Sequence, residues 1–457
     1  MQVLDNILGA VGHTPLVRLH RITAGLKPTI LAKVETLNPG GSVKDRIGLK
    51  MIDDAERRGL LKPGGTIVEP TSGNTGHALA IAAALRGYRM VFVMADKQSP
   101  EKIALLRAYG AEVVVCPTAV PRDSPESYYS VAERLSREIP GAYQPNQYFN
   151  QANPQAHYET TGPELWQQTE GKIDVLVGGL GTGGTMTGSG RYLREQKPAI
   201  KLIGADPEGS LYSGDSIKPY KVEGIGEDFI PATIDLEIFD RIVRVSDRDS
   251  FLTARRMTRE EGILVGGSAG TAMFAALEVA KEMDPSTLIV VILPDTGRNN
   301  MGKIYSDEWM RQNGFLERFP MQRVQDVVVS PHREIPELIT VASTETVGRA
   351  IDLLQEYGIS QMPVTEDGKT PTRLVGSIQE RTLLDRVYRD PGLIETTVGA
   401  AMDAPFPTIK AGAHVDEAFN ALLGAATALV VMQGEEPVGI ITRLDLLDFM
   451  AHTRPTR

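Results

Sequence analysis

The sequence predicts an α/β protein built on parallel sheets covered by helices on both faces, followed by a pair of smaller α/β repeats. Three observations carry this. Short apolar runs alternate with amphipathic helix patterns from the N-terminus to about residue 320. The runs are near-continuous Val/Ile/Leu rather than alternating, the mark of strands buried on both faces. Beyond about residue 325 the alternation gives way to an internal repeat.

Taken in order, Ile30-Leu31-Ala32-Lys33-Val34 reads as a strand, and Asn38-Pro39-Gly40-Gly41 is a breaker run that ends it. A helix pattern follows through Ile47, Met51, Ile52 and Ala55, with Ser42 as expected N-cap and Asp45 completing a capping box. Lys44 then falls in the first helical turn, where a cation opposes the helix dipole and loses its proton more easily. A neutral lysine amine is what Schiff-base chemistry requires.

The next strand, Thr66 to Glu69, ends in Pro70-Thr71-Ser72-Gly73-Asn74-Thr75-Gly76 before an apolar helix (His77 to Leu85). Hydroxyls, an amide and free N–H groups at a helix start suit a carboxylate or phosphate. Strand and helix alternate again through Met90–Met94, Lys102 to Tyr109 and Val113–Val115. Val175-Leu176-Val177 leads into Gly178-Gly179-Leu180-Gly181-Thr182-Gly183-Gly184-Thr185. That loop contains a G-x-G-x-x-G spacing, and Asp206 follows the next strand where a ribose-binding acid would sit, so an NAD-dependent oxidoreductase is one reading. Thr182 and Thr185 add hydroxyl donors that suit a terminal phosphate better than a pyrophosphate. Val265-Gly266-Gly267-Ser268-Ala269-Gly270 opens another helix, with Ser268 as expected N-cap. Leu288 to Leu293 is the last strand of this half. Sites in such folds lie beyond the carboxyl ends of strands, where strand order reverses.

Bulk properties exclude several classes. The chain has 457 residues, 42% hydrophobic and 23% charged, with a net charge of −10. That size implies two or three domains, and that charge argues against non-specific nucleic-acid binding. A single cysteine, Cys116, excludes an internal disulfide or thiolate metal cluster. No uncharged apolar run reaches ~18 residues, so no membrane span is expected. The N-terminus lacks a signal-peptide pattern, and a reducing cytoplasm is the expected location.

An imine-forming lysine, a phosphate loop, a carboxylate loop and a hydroxyl-bearing loop together are the parts needed for pyridoxal phosphate catalysis on an amino acid. At Gly12 to Val17, Pro39 to Arg46, Thr71 to Gly76, Gln147-Tyr148, Gly181 to Thr185, Gly224-Ile225-Gly226, Gly267 to Gly270 and Leu293-Pro294-Asp295 the chain resembles the β-family (fold-type II) of these enzymes, and within it the cystathionine β-synthases. The resemblance runs over residues 5–318 and implies a two-lobed catalytic core spanning 1–320 that acts on L-serine and L-homocysteine. It places Lys44, Ser72 and Tyr148 in catalysis, Lys44 holding the cofactor and taking the substrate Cα proton. It implies Asn74 at the cofactor ring hydroxyl, Gly181, Thr182, Gly183, Gly184 and Thr185 around the phosphate, and Ser268 and Pro294 at the ring. The substrate would be held by Thr71, Ser72, Thr75, Gln147 and Gly226. Cysteine synthase, using O-acetylserine and sulfide, shares these motifs and stays open, as does hydrogen sulfide production from cysteine. Asp206-Pro207-Glu208-Gly209-Ser210 and the C-terminal extension favour cystathionine synthesis. Animal members carry an N-terminal haem segment with Cys and His ligands. Here only twelve residues precede His13 and none is Cys, so haem is not expected, and no metal site is expected. Glu227 stands where the family carries an aromatic residue, which affects the entrance loop rather than the chemistry.

After a linker at 321–330, repeats at 331–392 and 393–457 resemble paired CBS domains. Thr346 to Leu354 is echoed by His414 to Leu423, and Gln361 to Val364 by Ala428 to Val431. The resemblance implies an adenosyl-ligand site at Ser360, Gln361, Thr442 and Asp445, with S-adenosylmethionine as candidate ligand. The equivalent positions in the first copy are Gln379 and Thr382, so one cleft looks degraded; a purely structural or dimerising module is the alternative. A homodimer or larger homo-oligomer is expected.

Overall fold

The computed structural model describes residues 3–452 except 72, 97, 99, 122, 215, 317–321, 329–337 and 369–372. It has two compact units, Met1–Phe315 and Leu316–Arg457.

The first unit contains strands β1 (Leu16–Arg18), β2 (Thr29–Val34), β3 (Thr66–Pro70), β4 (Arg89–Ala95), β5 (Glu112–Cys116), β6 (Ala142–Tyr143), β7 (Val175–Gly179), β8 (Lys201–Pro207), β9 (Arg241–Val245) and β10 (Leu288–Leu293). They form two sheets, ordered β1-β2-β10-β7-β8-β9 and β5-β4-β3-β6. Only the β1–β2 pairing is antiparallel. The runs predicted from sequence are these strands: β3 is buried along its whole length and β10 along all but its first residue. Helices cover both faces because strands with no polar face must be sealed on both sides.

Strand order reverses twice. β3, β4 and β5 step one way and β6 returns to the other side of β3. Likewise β7, β8 and β9 step one way and β10 returns beside β7. Loops diverge at such points and leave a crevice at the strands' carboxyl ends.

The second unit contains two three-stranded sheets, Val341–Ala342, Gln361–Thr365 and Leu374–Gln379 in one, Thr408–Lys410, Ala428–Gln433 and Glu436–Thr442 in the other. Each has a parallel then an antiparallel pairing, and the register slips after Val364 in one and after Val431 in the other, the same place in both copies. Within the stretch read as linker, residues Val324–Val328 form a short helix. Val324 and Val327 are buried among Val415, Leu422, Leu429 and Phe449 of the second repeat, so apolar burial draws this segment into that repeat's core.

Candidate active site

The helix carrying Lys44 starts at that residue, Lys44–Arg57, with Val43 rather than Ser42 at the cap position and no side-chain cap. The expected capping box does not form. Ser42 instead accepts from the Lys44 N–H at 3.2 Å, and the Asp45 carboxylate turns back to accept from the Gly40 N–H. The turn over Gly40 and Gly41 competes for Asp45 and wins because it places a bare N–H beside a buried carboxylate, whose burial pushes its pKa up to about 7. Lys44 is half-buried and lines a cleft with Asn74, Gly181, Thr182, Gly183, Thr185, Ser268 and Pro294. Burial lowers the pKa of its amine, while the carboxylates of Glu227 and Asp295 oppose the shift. The protein interior therefore does what the helix dipole was expected to do.

At the far end of the cleft, the loop after β7 forms a cradle of N–H groups. Tyr212 donates to the Gly181 carbonyl at 2.6 Å and Thr233 to the Thr182 carbonyl at 2.6 Å. With those carbonyls held outward, the N–H groups of Gly181 to Thr185 have no backbone acceptor among the described residues. Two glycines are required. Gly183 has φ 77° and a Cβ there would sit 2.3 Å from Ile234; one on Gly184 would sit 2.0 Å from Asn153 Oδ1. Orphaned donors at the start of the helix Gly184–Gln196 make an anion site. The residues present therefore fit a phosphate at this end and an aldehyde at Lys44. Asp206 does not serve a dinucleotide ribose, since its buried carboxylate accepts from the Ser213 N–H at 2.8 Å.

Residues that sequence reasoning did not single out lie behind the cradle. Asn153 donates to Thr182 Oγ1 at 3.0 Å and to the Gln147 carbonyl at 2.8 Å, joining the phosphate loop to the loop after β6. His157 contacts Thr185 Oγ1 at 3.1 Å and Thr161 Oγ1 at 2.8 Å. Burial, then the nearby Arg46 and Lys44 charges, hold His157 well below the usual histidine range, so it is neutral.

The other switch point lies between β3 and β6. Thr71 Oγ1 accepts from the N–H groups of Gly73 and Gly76, both at 3.1 Å, which orients its own proton away from the loop. Thr75 donates to Gln147 Oε1 at 2.6 Å, so the Gln147 amide presents N–H donors. Glu69, fully buried, accepts from the N–H groups of Asn146 and Gln147 at 2.8 and 3.0 Å. Asn146 adopts φ 51°, a left-handed conformation that Asn tolerates, which aims both N–H groups at one carboxylate. Burial raises Glu69 to about 7, against the pull of those two donors. Ser72 lies outside the described residues. Tyr148 is buried beside Tyr129 and Phe229, with ring centroids 5.9 and 5.3 Å away. Burial, then the Glu227 charge, raise its hydroxyl well above the usual tyrosine range, so it stays a phenol.

Ser268 is not the N-cap; the helix Gly267–Ala280 is entered from Gly266. Its hydroxyl instead donates to Asp295 Oδ1 at 3.0 Å, and Asn74 Nδ2 donates to Asp295 Oδ2 at 2.9 Å. Asp295, next to Pro294, thus holds both side chains predicted to meet the cofactor ring. Burial raises its pKa, while the Lys102 charge and these two hydrogen bonds oppose. Gly226, at φ 77°, donates its N–H to the Leu180 carbonyl at 2.7 Å and so stands beside the cradle.

In the second unit, Thr442 donates to Asp445 Oδ2 through both its N–H (2.7 Å) and its hydroxyl (2.6 Å). Gln361 donates to the Thr427 carbonyl at 3.3 Å and Thr427 donates to Gln379 at 3.0 Å, joining the two copies at this point. In the first copy Thr382 donates instead to Asp403 at 2.6 Å, and Arg386 pairs with the same carboxylate. The Ser360 carbonyl accepts from the Glu380 N–H at 2.8 Å. No helix among the described residues is long and apolar enough to cross a membrane.

A family model for pyridoxal-phosphate dependent enzymes matches residues 7–295, and the CBS domain model matches 327–389 and 398–452. The chain is 42% identical to cystathionine beta-synthase of Rattus norvegicus, over 100% of this chain and 87% of that one. It is 38% identical to cystathionine beta-synthase of Dictyostelium discoideum, over 98% and 92%. The solved O-acetylserine dependent cystathionine beta-synthase from Helicobacter pylori superposes with a TM-score of 0.64 at 37% identity, covering 67% of this chain and all of that one.

Proposed function

The chain belongs to the pyridoxal-phosphate dependent enzymes and within them to the cystathionine beta-synthases, and from this we propose that L-serine is its donor substrate, L-homocysteine its acceptor, and the cleft around Lys44 the place of reaction. It is a cofactor-dependent enzyme of β-replacement. The observation that carries the reading is that one cleft joins a desolvated lysine amine to a cradle of orphaned N–H groups.

Bound there, pyridoxal phosphate supplies an aldehyde for amine capture and a conjugated ring that spreads the charge left at Cα. The chain does the rest. Gly181 to Thr185 bind the phosphate. Asn74 and Ser268, both held by Asp295, meet the ring; a neutral hydroxyl at the ring nitrogen favours β-elimination over transamination. Thr71, Ser72, Thr75 and Gln147 hold the substrate carboxylate with neutral donors, and Gly226 and Tyr148 border the substrate. Lys44 anchors the cofactor and takes the Cα proton. Hydroxide is a poor leaving group, and protonated Lys44 is the donor placed to deliver a proton to it.

An assay of purified protein with pyridoxal phosphate tests this. Serine plus homocysteine should yield cystathionine faster than O-acetylserine plus sulfide yields cysteine. The reverse order would make the protein a cysteine synthase in practice.

CBS domains as a class bind adenosyl ligands, and we propose S-adenosylmethionine for this module, at Thr442 and Asp445 with Ser360 and Gln361. The fixed Asp445 carboxylate is suited to a ribose diol. Calorimetry should show binding heat in the wild type that an Asp445→Ala variant loses. No heat in the wild type would leave the module structural. The sole cysteine, Cys116, is buried and free, which suits the proposed cytoplasmic location.

A further inference from the structure

Glu69 takes no part in the chemistry proposed above, yet it is fully buried near the carboxyl end of β3, two residues before Thr71. Each of its oxygens accepts one backbone N–H from across the switch point, Asn146 at 2.8 Å on one and Gln147 at 3.0 Å on the other. No cation pairs with it among the described residues. An anion buried without a counter-ion is costly. Here it stabilises one feature, Asn146 at φ 51°, the left-handed conformation that turns both N–H groups the same way.

Gln147 is thereby held at every polar group but one. Its N–H is on Glu69, its carbonyl accepts from Asn153 Nδ2 at 2.8 Å, and its side-chain oxygen accepts from Thr75 at 2.6 Å. Its side-chain NH2 makes no hydrogen bond among the described residues and is not sealed from solvent. The groups next to these partners line the cleft with Lys44: Asn74 adjoins Thr75, and Thr182 is bonded to Asn153 at 3.0 Å.

We propose that Glu69 is a positioning residue for the first substrate: by holding the Asn146–Gln147 backbone it aims the Gln147 amide donors at the amino acid's carboxylate. This rests on the reading above, in which Gln147 holds that carboxylate. Glu69 itself touches no substrate. Glutamine at 69 keeps its shape but offers one acceptor and one donor, so one of the two N–H groups would meet another donor and the turn would lose half its hold. The grip on the carboxylate acts on bound substrate before and during reaction alike, so its loss raises KM and leaves kcat.

The test uses the full-length holoenzyme, titrated with L-serine and followed by visible absorption, at a pH well above 7 because burial raises Glu69 to about 7. In Glu69→Gln the dissociation constant and KM for serine should rise by roughly tenfold, the scale of one hydrogen bond to a charged group. Both kcat at saturating serine and the affinity for pyridoxal phosphate should stay within about twofold, since only uniform binding is lost. A second pair of variants reaches the same turn without touching the carboxylate. Asn146→Gly adopts φ 51° at no steric cost and should bind serine like the wild type, whereas Asn146→Val, β-branched, resists that conformation and should weaken serine as Glu69→Gln does. In the cofactor-free protein, the peptide containing Asn146 and Gln147 should exchange its amide hydrogens faster in Glu69→Gln and Asn146→Val than in the wild type. Serine affinity unchanged in Glu69→Gln or Asn146→Val, or kcat and cofactor affinity falling in step with it, overturns the proposal alone. Failure of the wild type to bind serine overturns the donor-substrate reading and this proposal with it.

Discussion

Alanine at position 44 should lower cystathionine formation by at least roughly 10³-fold, since in the proposed mechanism it removes the covalent anchor and the general base together and the base alone contributes up to about 10⁴-fold. Lys44 is suited to both tasks because burial lowers its pKa, with Glu227 and Asp295 close enough to hold the charge when it takes a proton. Borohydride treatment of wild-type protein loaded with pyridoxal phosphate should leave a mass increment on the peptide containing Lys44, and none on that of Lys44→Ala. The proposed phosphate cradle, residues 181–185, is untouched by this substitution, so cofactor should still bind, but reversibly. A Lys44→Ala enzyme with a tenth or more of the wild-type rate would show that another group moves the Cα proton.

The parts of this site that were readable in the sequence are those set by local chemistry. A strand, a glycine-bearing turn and a helix start are contiguous, so the loops at 38–46, 71–76, 178–185 and 266–270 announce themselves. The repeat at the C-terminus is likewise visible because its period is intact. What was hidden joins residues far apart in the chain. Asp295 holds Ser268, and also Asn74, which lies 221 positions before it, and Asn153 ties the loop after β6 to the loop after β7. No spacing rule reaches that far; the switch points of the two sheets bring these side chains together. The failed capping box has the same origin. Ser42 followed by Asp45 is a valid local pattern, but the Gly40 N–H, exposed by a tight turn, offers Asp45 a closer partner.

Replacing Arg46 with methionine should destabilise the first unit by about 3–5 kcal/mol, the cost of leaving a buried carboxylate without its partner. Arg46 lies two residues beyond Lys44 on the same helix and grips two carboxylates. Its Nε and Nη2 meet Glu35, both at 2.8 Å, and its Nη1 and Nη2 meet Glu164 at 2.7 and 2.8 Å. Lys33, fully buried, completes the set with a 2.7 Å bond to Glu164. Two cations and two anions balance, so removing one cation leaves a net charge where water cannot reach. Glu35 would keep only Thr14 and Asn38 as side-chain donors. A second replacement, Glu35→Gln, should recover part of the loss, because it removes the stranded charge; chemical denaturation of the single and double variants measures this coupling. Acid gives an independent readout. Burial pushes the Glu164 carboxyl up, but its bonds to Arg46 and the Arg46 charge outweigh that and bring it to about 2, from the ordinary 4.5. A carboxylate with a depressed folded-state pKa adds stability above its unfolded value and loses it as pH falls through the folded one. Wild-type stability should therefore decline between pH 4.5 and about 2. Arg46→Met should show a shallower decline over that window, since its Glu164 titrates nearer to the unfolded value. An equally steep acid transition in the variant would mean that Lys33 alone holds Glu164 ionised and that Arg46 is not what sets this network.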